Sequence, residues 1–221
     1  MRGRPEPLDW DGYCQRWSSA HGGYDPRTAP APVRGWLRLC HGMGAALARR
    51  GVRNPDAVTL AGILASAAVP VTAAVAPAAA PWTALLVLFT AFADTIDGVL
   101  AVVADRATRL GQVYDSVADR LSEAAWLVAF ALLGAPAWLA AACGGAMWLH
   151  EYVRARAAVA GMSDIGTVTI AERPTRILIA VFGLLLASLD PRVPTATLAI
   201  ALAVSLIGLA QLLAAVRRSL R

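Results

Sequence analysis

The chain has 221 residues, of which 57% are hydrophobic and only 16% charged, with a formal net charge of +5. About a quarter of the residues in a soluble domain are charged, so this composition favours an integral membrane protein over a soluble enzyme. Every basic residue is arginine, and with this hydropathy we expect the positive charge to face an anionic membrane surface rather than nucleic acid.

Residues 1–32 form a polar N-terminal segment with many glycines and prolines, for which we expect little periodicity and either a surface position or partial disorder. Residues 33–56 follow as an amphipathic helix and the loop that leads to the first span. Between Val33 and Arg50, apolar side chains recur at helical spacing against arginines, which predicts a helix lying in the membrane interface. A soluble helix packed on a partner protein is the alternative.

Six apolar segments make up most of residues 57–221, the predicted catalytic domain, and prolines mark three of the turns between them. The predicted fold is therefore an all-α integral membrane protein with six transmembrane helices after an interfacial helix. Eighteen of the 20 arginines fall on one side of the spans, which predicts that both chain ends are cytoplasmic. The predicted spans are 57–76, 82–104, 110–134, 137–157, 174–189 and 195–216, of which the fifth is short.

Four aspartates inside two of these spans carry the most information about function. A carboxylate in hydrocarbon costs at least about 3 kcal/mol, so an ionisable residue there is a candidate functional residue. Residues three or four apart share a helix face. Asp94 therefore lies beside Asp97 on the second span, and Asp115 lies beside Asp119 on the third.

The short loop between these two spans makes them antiparallel neighbours, so their residues can be matched by depth. Asp94 then faces Asp119, and Asp97 faces Asp115, with two small residues nearer the loop, Ala101 and Gly111. Two divalent cations, Mg²⁺ or Mn²⁺, would balance the four carboxylates and could hold a diphosphate. Interhelical hydrogen bonds or a proton relay are the alternatives.

These residues resemble the signature of the CDP-alcohol phosphotransferase family, DxxDGxxAR followed by eight residues and GxxxDxxxD. Between Asp94 and Asp119 the chain matches every signature position but one, the exception being Val102, where the family has arginine. The stretch from Pro55 to Thr59 similarly resembles the family's PNxxT at the start of the first span, with aspartate in place of asparagine. The resemblance covers residues 33–216 and leaves out the polar N-terminal segment.

The resemblance implies that an acceptor alcohol attacks the β-phosphate of a CDP-linked alcohol and releases CMP. It implies that Asp119 contacts metal and acts as the general base, and that the protein is a homodimer. The implied metal ligands are Asp94, Asp97, Asp115 and Asp119. The implied CDP-binding residues are Asp56, Thr59, Gly98, Ala101 and Gly111. Tight helix packing is the alternative role of the three small residues.

The missing signature arginine has two interpretations. The family's arginine is expected to support the nucleotide phosphates, and we hypothesise that Arg106, one helical turn beyond Val102, replaces it in the CDP site. Without such a replacement, the chain would be a catalytically impaired family member that acts as a binding or assembly subunit.

Arginines at the cytoplasmic ends of the fourth and fifth spans predict a site for the acceptor's phosphate, because guanidinium groups bind phosphate in a bidentate manner. The predicted ligands are Arg154, Arg173 and Arg176, the last two sharing a helix face. The arrangement resembles that of family members whose acceptor is phosphorylated, with inositol phosphate ahead of glycerol phosphate. Anchoring to lipid headgroups is the alternative. Arg120, inside the third span, is predicted to pair with Glu123.

The sequence therefore predicts a membrane enzyme of phospholipid biosynthesis with a cytoplasmic active site. It would transfer a phosphatidyl-type group from a CDP-alcohol, CDP-diacylglycerol before others, to a polar alcohol. A soluble CDP-alcohol donor with a lipid acceptor would use the same signature. A cation transporter would also place carboxylates in the membrane, but it would not require the spacing of the small residues.

Overall fold

The computed structural model describes residues 7–20, 25–29, 31–75, 77–162 and 169–221. These residues form α-helices and two short 3-10 turns, and they contain no strand. The helices are α1 (Trp10–Ala20), α2 (Ala31–Arg49), α3 (Pro55–Val75), α4 (Ala80–Val103), α5 (Arg109–Leu132), α6 (Ala137–Val159), α7 (Arg173–Leu186) and α8 (Val193–Ser219). The chain divides into two compact units. Unit 1 is Met1–Gly62 with Ala91–Ala118, and unit 2 is Ile63–Thr90 with Asp119–Arg221.

Helices lie at all six predicted segments, and in every one except α5 a proline in the first turn or just before it helps to set the start. Three of these helices, α3, α4 and α8, are long and apolar enough to cross a membrane. By contrast, α5 and α6 carry clusters of charged residues. Helix α7 has 14 residues, which span only about 21 Å, less than the ~30 Å thickness of hydrocarbon.

The N-terminal segment contains a helix that the sequence analysis did not predict. In α1, the spacing of Trp10, Tyr13, Cys14 and Trp17 gives one apolar face, and Tyr13 and Cys14 are fully buried. The expectation of little periodicity was therefore wrong for this stretch. Its four apolar residues lie among polar ones in the sequence, but they share one face of the helix. Parts of the same expectation concern residues 1–6, 21–24 and 30, which lie outside the described residues.

The core of unit 1 fixes the position of α4, the helix that carries the first two aspartates. Buried residues of α1, α2 and α4 form one apolar cluster. Gly44 allows α2 to approach α4 closely, since a Cβ there would lie 2.5 Å from Cγ1 of Val99. The cluster contains Tyr13, Cys14, Cys40, Ala48, Ile96, Val99, Leu100, Val102 and Val103.

The core of unit 2 holds α6, α7 and α8 together with the second half of α5. Trp126 and Phe130 of α5 are buried in the same cluster as Met147 of α6. Helix α7 meets α8 where a Cβ on Gly183 would lie 2.3 Å from Cγ2 of Thr197. This packing fixes the ends of α5, α6 and α7 that carry the charged residues described below.

The outer faces of the long helices are apolar. Large aliphatic side chains stand exposed along α3 and α8. Soluble monomers rarely expose continuous apolar surface on this scale, and hydrocarbon is its natural environment. The exposed residues are Leu60, Leu64 and Val71 on α3, and Ile200, Leu206, Ile207 and Leu213 on α8.

Candidate active site

Three of the four predicted aspartates come together in unit 1. Asp94 and Asp97 of α4 and Asp115 of α5 each place a carboxylate oxygen within 4.8 Å of the other two. Asp97 is only 4% exposed, whereas Asp115 is exposed. Three negative charges so close together repel one another unless a cation balances them. Their hard oxygen atoms fit Mg²⁺ or Mn²⁺.

Thr59 orients the most buried of these carboxylates. Its Oγ1 lies 2.5 Å from Oδ2 of Asp97 and 3.2 Å from the carbonyl oxygen of Pro55. A hydroxyl has a single proton, and the shorter contact indicates that it is donated to the carboxylate. One oxygen of Asp97 is thus held by α3, and a carboxylate fixed in this way is pre-organised to bind a metal ion.

The two signature glycines have different surroundings. A Cβ on Gly98 would meet no neighbouring side chain or packed helix within 4 Å, so open space lies at Gly98. A Cβ on Gly111 would lie 3.0 Å from Oγ1 of Thr108 and 3.9 Å from Oδ1 of Asp56. Gly98 is therefore not needed for close helix packing, and Gly111 brings the start of α5 near the start of α3.

Val102, the departure from the signature, belongs to the apolar core of unit 1. It is 7% exposed and packs in the cluster that includes Tyr13 and Cys14. Arg106 is exposed, and its backbone N–H donates to the carbonyl oxygen of Ala101. A cavity of about 190 Å³ borders Val102, and its lining includes two further arginines, Arg16 and Arg53.

Asp119 lies in unit 2, where it forms an ion pair with an arginine. Its Oδ1 is 2.7 Å from Nη2 of Arg173, and its Oδ2 is 3.7 Å from Nη2 of Arg120. Nη1 of Arg120 lies 3.2 Å from Oε2 of Glu123, which confirms the predicted pair between these two residues. The predicted base and one predicted phosphate ligand are therefore in direct contact.

Arg176 is a buried residue that joins three parts of unit 2. It is 1% exposed. Nη1 donates to Oε1 of Glu123 at 2.9 Å, and Nη2 donates to Oε1 of Glu151 at 3.0 Å. Nε donates to the carbonyl oxygen of Ala171 at 2.6 Å. Arg176 thus ties α5 and α6 to the turn that precedes α7.

Arg154 is held by a carboxylate from that same turn. Its Nη2 donates to Oε1 of Glu172 at 2.6 Å. The same oxygen accepts hydrogen bonds from the backbone N–H and the hydroxyl of Thr169, each at 2.9 Å. Arg154 remains about one-quarter exposed, so its side chain is oriented but still accessible.

These residues form a network whose formal charges cancel. It contains four carboxylates and four guanidinium groups, from Asp119, Glu123, Glu151, Glu172, Arg120, Arg154, Arg173 and Arg176. We call it the arginine–carboxylate network. Sequence reasoning missed Glu151 as a member, and it missed His150 and Thr169, whose side chains form hydrogen bonds with the network. Glu151 could have been recognised, because it is a charged residue inside a predicted span. Nothing in the sequence indicated that Thr169 contacts these charged residues.

Comparisons with known proteins agree with the signature. Residues 52–210 match the family model described as CDP-alcohol phosphatidyltransferase. The phosphatidylinositol phosphate synthase of Mycolicibacterium smegmatis is 34% identical over 156 residues, which cover 67% of this chain and 68% of that protein. The synthase of the same name from Mycobacteroides abscessus is 31% identical over 194 residues, which cover 83% of this chain and 86% of that protein.

A solved structure shows the same fold. The crystal structure of Mycobacterium tuberculosis phosphatidylinositol phosphate synthase, in complex with manganese and citrate, matches with a TM-score of 0.68 and 26% identity. The match covers 81% of this chain and 90% of the solved one. The family model itself spans most of the chain, including both halves of the aspartate signature. The chain is therefore a transferase that belongs to the CDP-alcohol phosphatidyltransferase family.

Proposed function

We propose that this protein transfers the phosphatidyl group of CDP-diacylglycerol to inositol phosphate and releases CMP, as a step of phospholipid biosynthesis. The observation that carries the proposal is the cluster of Asp94, Asp97 and Asp115 beside open space at Gly98. Relatives that match along most of their length are named phosphatidylinositol phosphate synthases, which supports inositol phosphate as the acceptor.

Divalent cations fit the donor set of the aspartate cluster. Asp94, Asp97 and Asp115 would hold them, and Asp119 joins the set by its position in the signature. Two ions, Mg²⁺ or Mn²⁺, are proposed, and manganese is present in the solved mycobacterial relative. When bound, such ions neutralise the diphosphate and polarise the phosphate under attack.

Asp119 is proposed as the general base. As the acceptor's hydroxyl oxygen forms a bond to the β-phosphorus, its proton passes to the Asp119 carboxylate. The bond between the β-phosphorus and the bridging oxygen breaks, and CMP leaves with that oxygen. The ion pair with Arg173 holds the Asp119 side chain in a fixed position, which suits a base that must reach one hydroxyl.

The donor's CDP group is proposed to lie against the small residues of the signature. The open space at Gly98 supports this position. Gly111 and Asp56 lie close to each other, so they can contact one ligand. The proposed CDP-binding residues remain Asp56, Thr59, Gly98, Ala101, Arg106 and Gly111.

The acceptor's phosphate is proposed to bind Arg154 and Arg173, which are both partly exposed. Guanidinium groups suit this task because their paired donors match phosphate oxygens. Arg176 was predicted to join them. Because it is buried and bonded to Glu123, Glu151 and Ala171, we propose that it holds the surrounding helices in place and supports the phosphate site indirectly.

The protein is proposed to lie in the cytoplasmic membrane with both termini and the active site on the cytoplasmic side, as the arginine distribution indicates. Helices α3 to α8 would be the six spans of a catalytic domain, residues 57–221. Residues 33–56 would form the interfacial helix and the following loop, where the exposed side chains of Leu39 and Met43 would contact lipid. Residues 1–32 would form the N-terminal segment, and the protein would be a homodimer.

A turnover assay tests the proposal. Purified protein in detergent receives CDP-diacylglycerol, Mn²⁺ and one of three acceptors: inositol phosphate, glycerol phosphate or inositol. We expect CMP release with inositol phosphate, lost in Asp119→Asn and Asp97→Asn but kept in the control Asp190→Asn, which changes an exposed loop residue. Faster release with unphosphorylated inositol would contradict the acceptor assignment. Metal-dependent donor binding without turnover would indicate a binding subunit, and ion flux in liposomes a transporter.

A further inference from the structure

A chain of buried hydrogen bonds runs from Arg176 to Glu172 through two residues that the proposed reaction does not use. His150 is fully buried. Its Nδ1 lies 3.2 Å from Nη2 of Arg176, and its Nε2 lies 3.0 Å from Oγ1 of Thr169. Oγ1 of Thr169 lies 2.9 Å from Oε1 of Glu172.

The chemistry of these groups fixes the direction of the chain. Nδ1 of His150 lies 3.3 Å from Oε1 of Glu151 as well as 3.2 Å from Nη2 of Arg176. Because the ionised Glu172 carboxylate can only accept, the Thr169 hydroxyl donates to it and accepts from Nε2–H of His150, which leaves Nδ1 to accept a hydrogen bond from Arg176. The imidazole proton then sits on Nε2.

The hydrogen-bond chain ends on the oxygen that holds Arg154. Oε1 of Glu172 accepts from Arg154 at 2.6 Å as well as from the Thr169 hydroxyl and backbone N–H. Arg173 follows Glu172 as the first residue of α7. The position of Glu172 therefore affects both arginines that are proposed to bind the acceptor's phosphate.

We infer that His150, Thr169 and Glu172 are positioning residues, which orient Arg154 and the start of α7 toward the phosphate of the acceptor. The inference rests on the proposed acceptor site. Arg176 links the hydrogen-bond chain to α5 and α6 through Glu123 and Glu151, so the geometry of the phosphate site is set by rigid elements.

A matched pair of variants at Thr169 tests the inference. Thr169→Val keeps the shape of the side chain and removes the hydroxyl, whereas Thr169→Ser keeps the hydroxyl. We expect Thr169→Val to raise the KM for inositol phosphate about tenfold, with kcat and the KM for CDP-diacylglycerol changed less than about twofold. Thr169→Ser should behave like the unmodified protein. Glu172→Gln, a second variant at the last residue of the hydrogen-bond chain, should also raise the KM for inositol phosphate.

Arg154→Ala, measured in parallel, separates failure of this inference from failure of the proposed function. If Arg154→Ala raises the KM for inositol phosphate while Thr169→Val and Glu172→Gln do not, the positioning role is wrong and the acceptor site stands. If none of the three variants raises the KM for inositol phosphate, the positioning role and the proposed acceptor site are both wrong. A loss of kcat and of affinity for both substrates in Thr169→Val, together with a lower unfolding temperature, would show a purely structural role. Equilibrium binding of inositol phosphate provides the same comparison without turnover.

Discussion

Nη2 of Arg173 lies 2.7 Å from Oδ1 of Asp119, so a proposed ligand of the acceptor's phosphate touches the proposed general base. This one contact connects the two proposed roles. An acceptor whose phosphate binds Arg173 would bring its hydroxyl close to the carboxylate that must take the proton. Binding and proton transfer can then be aligned by a single residue.

Replacing Arg173 should weaken acceptor binding more than donor binding. For Arg173→Ala we expect the KM for inositol phosphate to rise about tenfold to a hundredfold, because a charge-assisted bidentate contact is lost. Arg173→Lys keeps the charge but lacks the planar guanidinium group, so its KM for inositol phosphate should lie between those of the unmodified protein and Arg173→Ala. Initial rates at varied acceptor concentration measure the change. An unaltered KM in Arg173→Ala would show that the phosphate binds elsewhere.

Arg176→Ala should unfold the protein far more easily. Removing the buried guanidinium takes one cationic partner from each of Glu123 and Glu151, and breaking a buried ion pair in this way costs about 3–5 kcal/mol. We expect a markedly lower thermal midpoint in detergent. Arg156→Ala is the control, since Arg156 is exposed near the end of the adjacent helix α6. A stable Arg176→Ala protein that has lost only its affinity for the acceptor would instead make Arg176 a phosphate ligand.

Thr59→Val should weaken metal binding. The hydroxyl of Thr59 holds Oδ2 of Asp97, and loss of such a supporting contact typically reduces metal affinity about 10–100-fold. The Mn²⁺ concentration that gives half-maximal CMP release should rise accordingly. Thr59→Ser retains the hydroxyl and should need little more metal than the unmodified protein. If the unmodified protein and both variants need the same Mn²⁺ concentration, Thr59 does not support metal binding.

Restoring the signature arginine at position 102 should destabilise this chain. Val102 is buried in the apolar cluster that also contains Tyr13 and Cys14 of α1, and an unpaired guanidinium there would cost about 3 kcal/mol or more. Val102→Arg should therefore unfold at a lower temperature. Val52→Arg, at an exposed loop position, should not. A stable and more active Val102→Arg protein would show that this position faces the nucleotide.

The buried thiols offer a direct test of the packing of α1 and α2. Cys14 and Cys40 are fully buried, and burial raises the pKa of Cys40 to about 11. The reactive thiolate is therefore scarce at pH 8. Iodoacetamide should modify neither residue in the folded protein and both after unfolding in detergent at high temperature. Ser19→Cys, at an exposed position, is the reactive control. Rapid labelling of Cys14 in the folded protein would mean that α1 is not packed as described.

The positions of α3 to α8 could be read from the sequence because each contains an apolar run and all except α5 begin near a proline. Helix α1 could not, since its apolar residues are few and only their spacing, seen from Trp10 to Trp17, marks a face. Whether Val102 faced a nucleotide or a core depended on that missed helix.

The aspartate cluster was predictable because residues three apart on one helix must share a face, and the signature supplied Asp115. The environment of Arg176 was not predictable in the same way. Its partners Glu123 and Glu151 are 53 and 25 residues away in the sequence. Helical periodicity placed Arg176 on the face of Arg173, but it says nothing about which residue of a face turns inward.

The cancelled charges of the arginine–carboxylate network have a consequence for substrate selection. There is no surplus of positive charge among these eight side chains, so an acceptor phosphate that binds Arg173 shares this guanidinium with the Asp119 carboxylate. A neutral alcohol brings no charge to this ion pair. Discrimination against unphosphorylated alcohols then arises from the ion pairs already present in the protein, without any group that repels them.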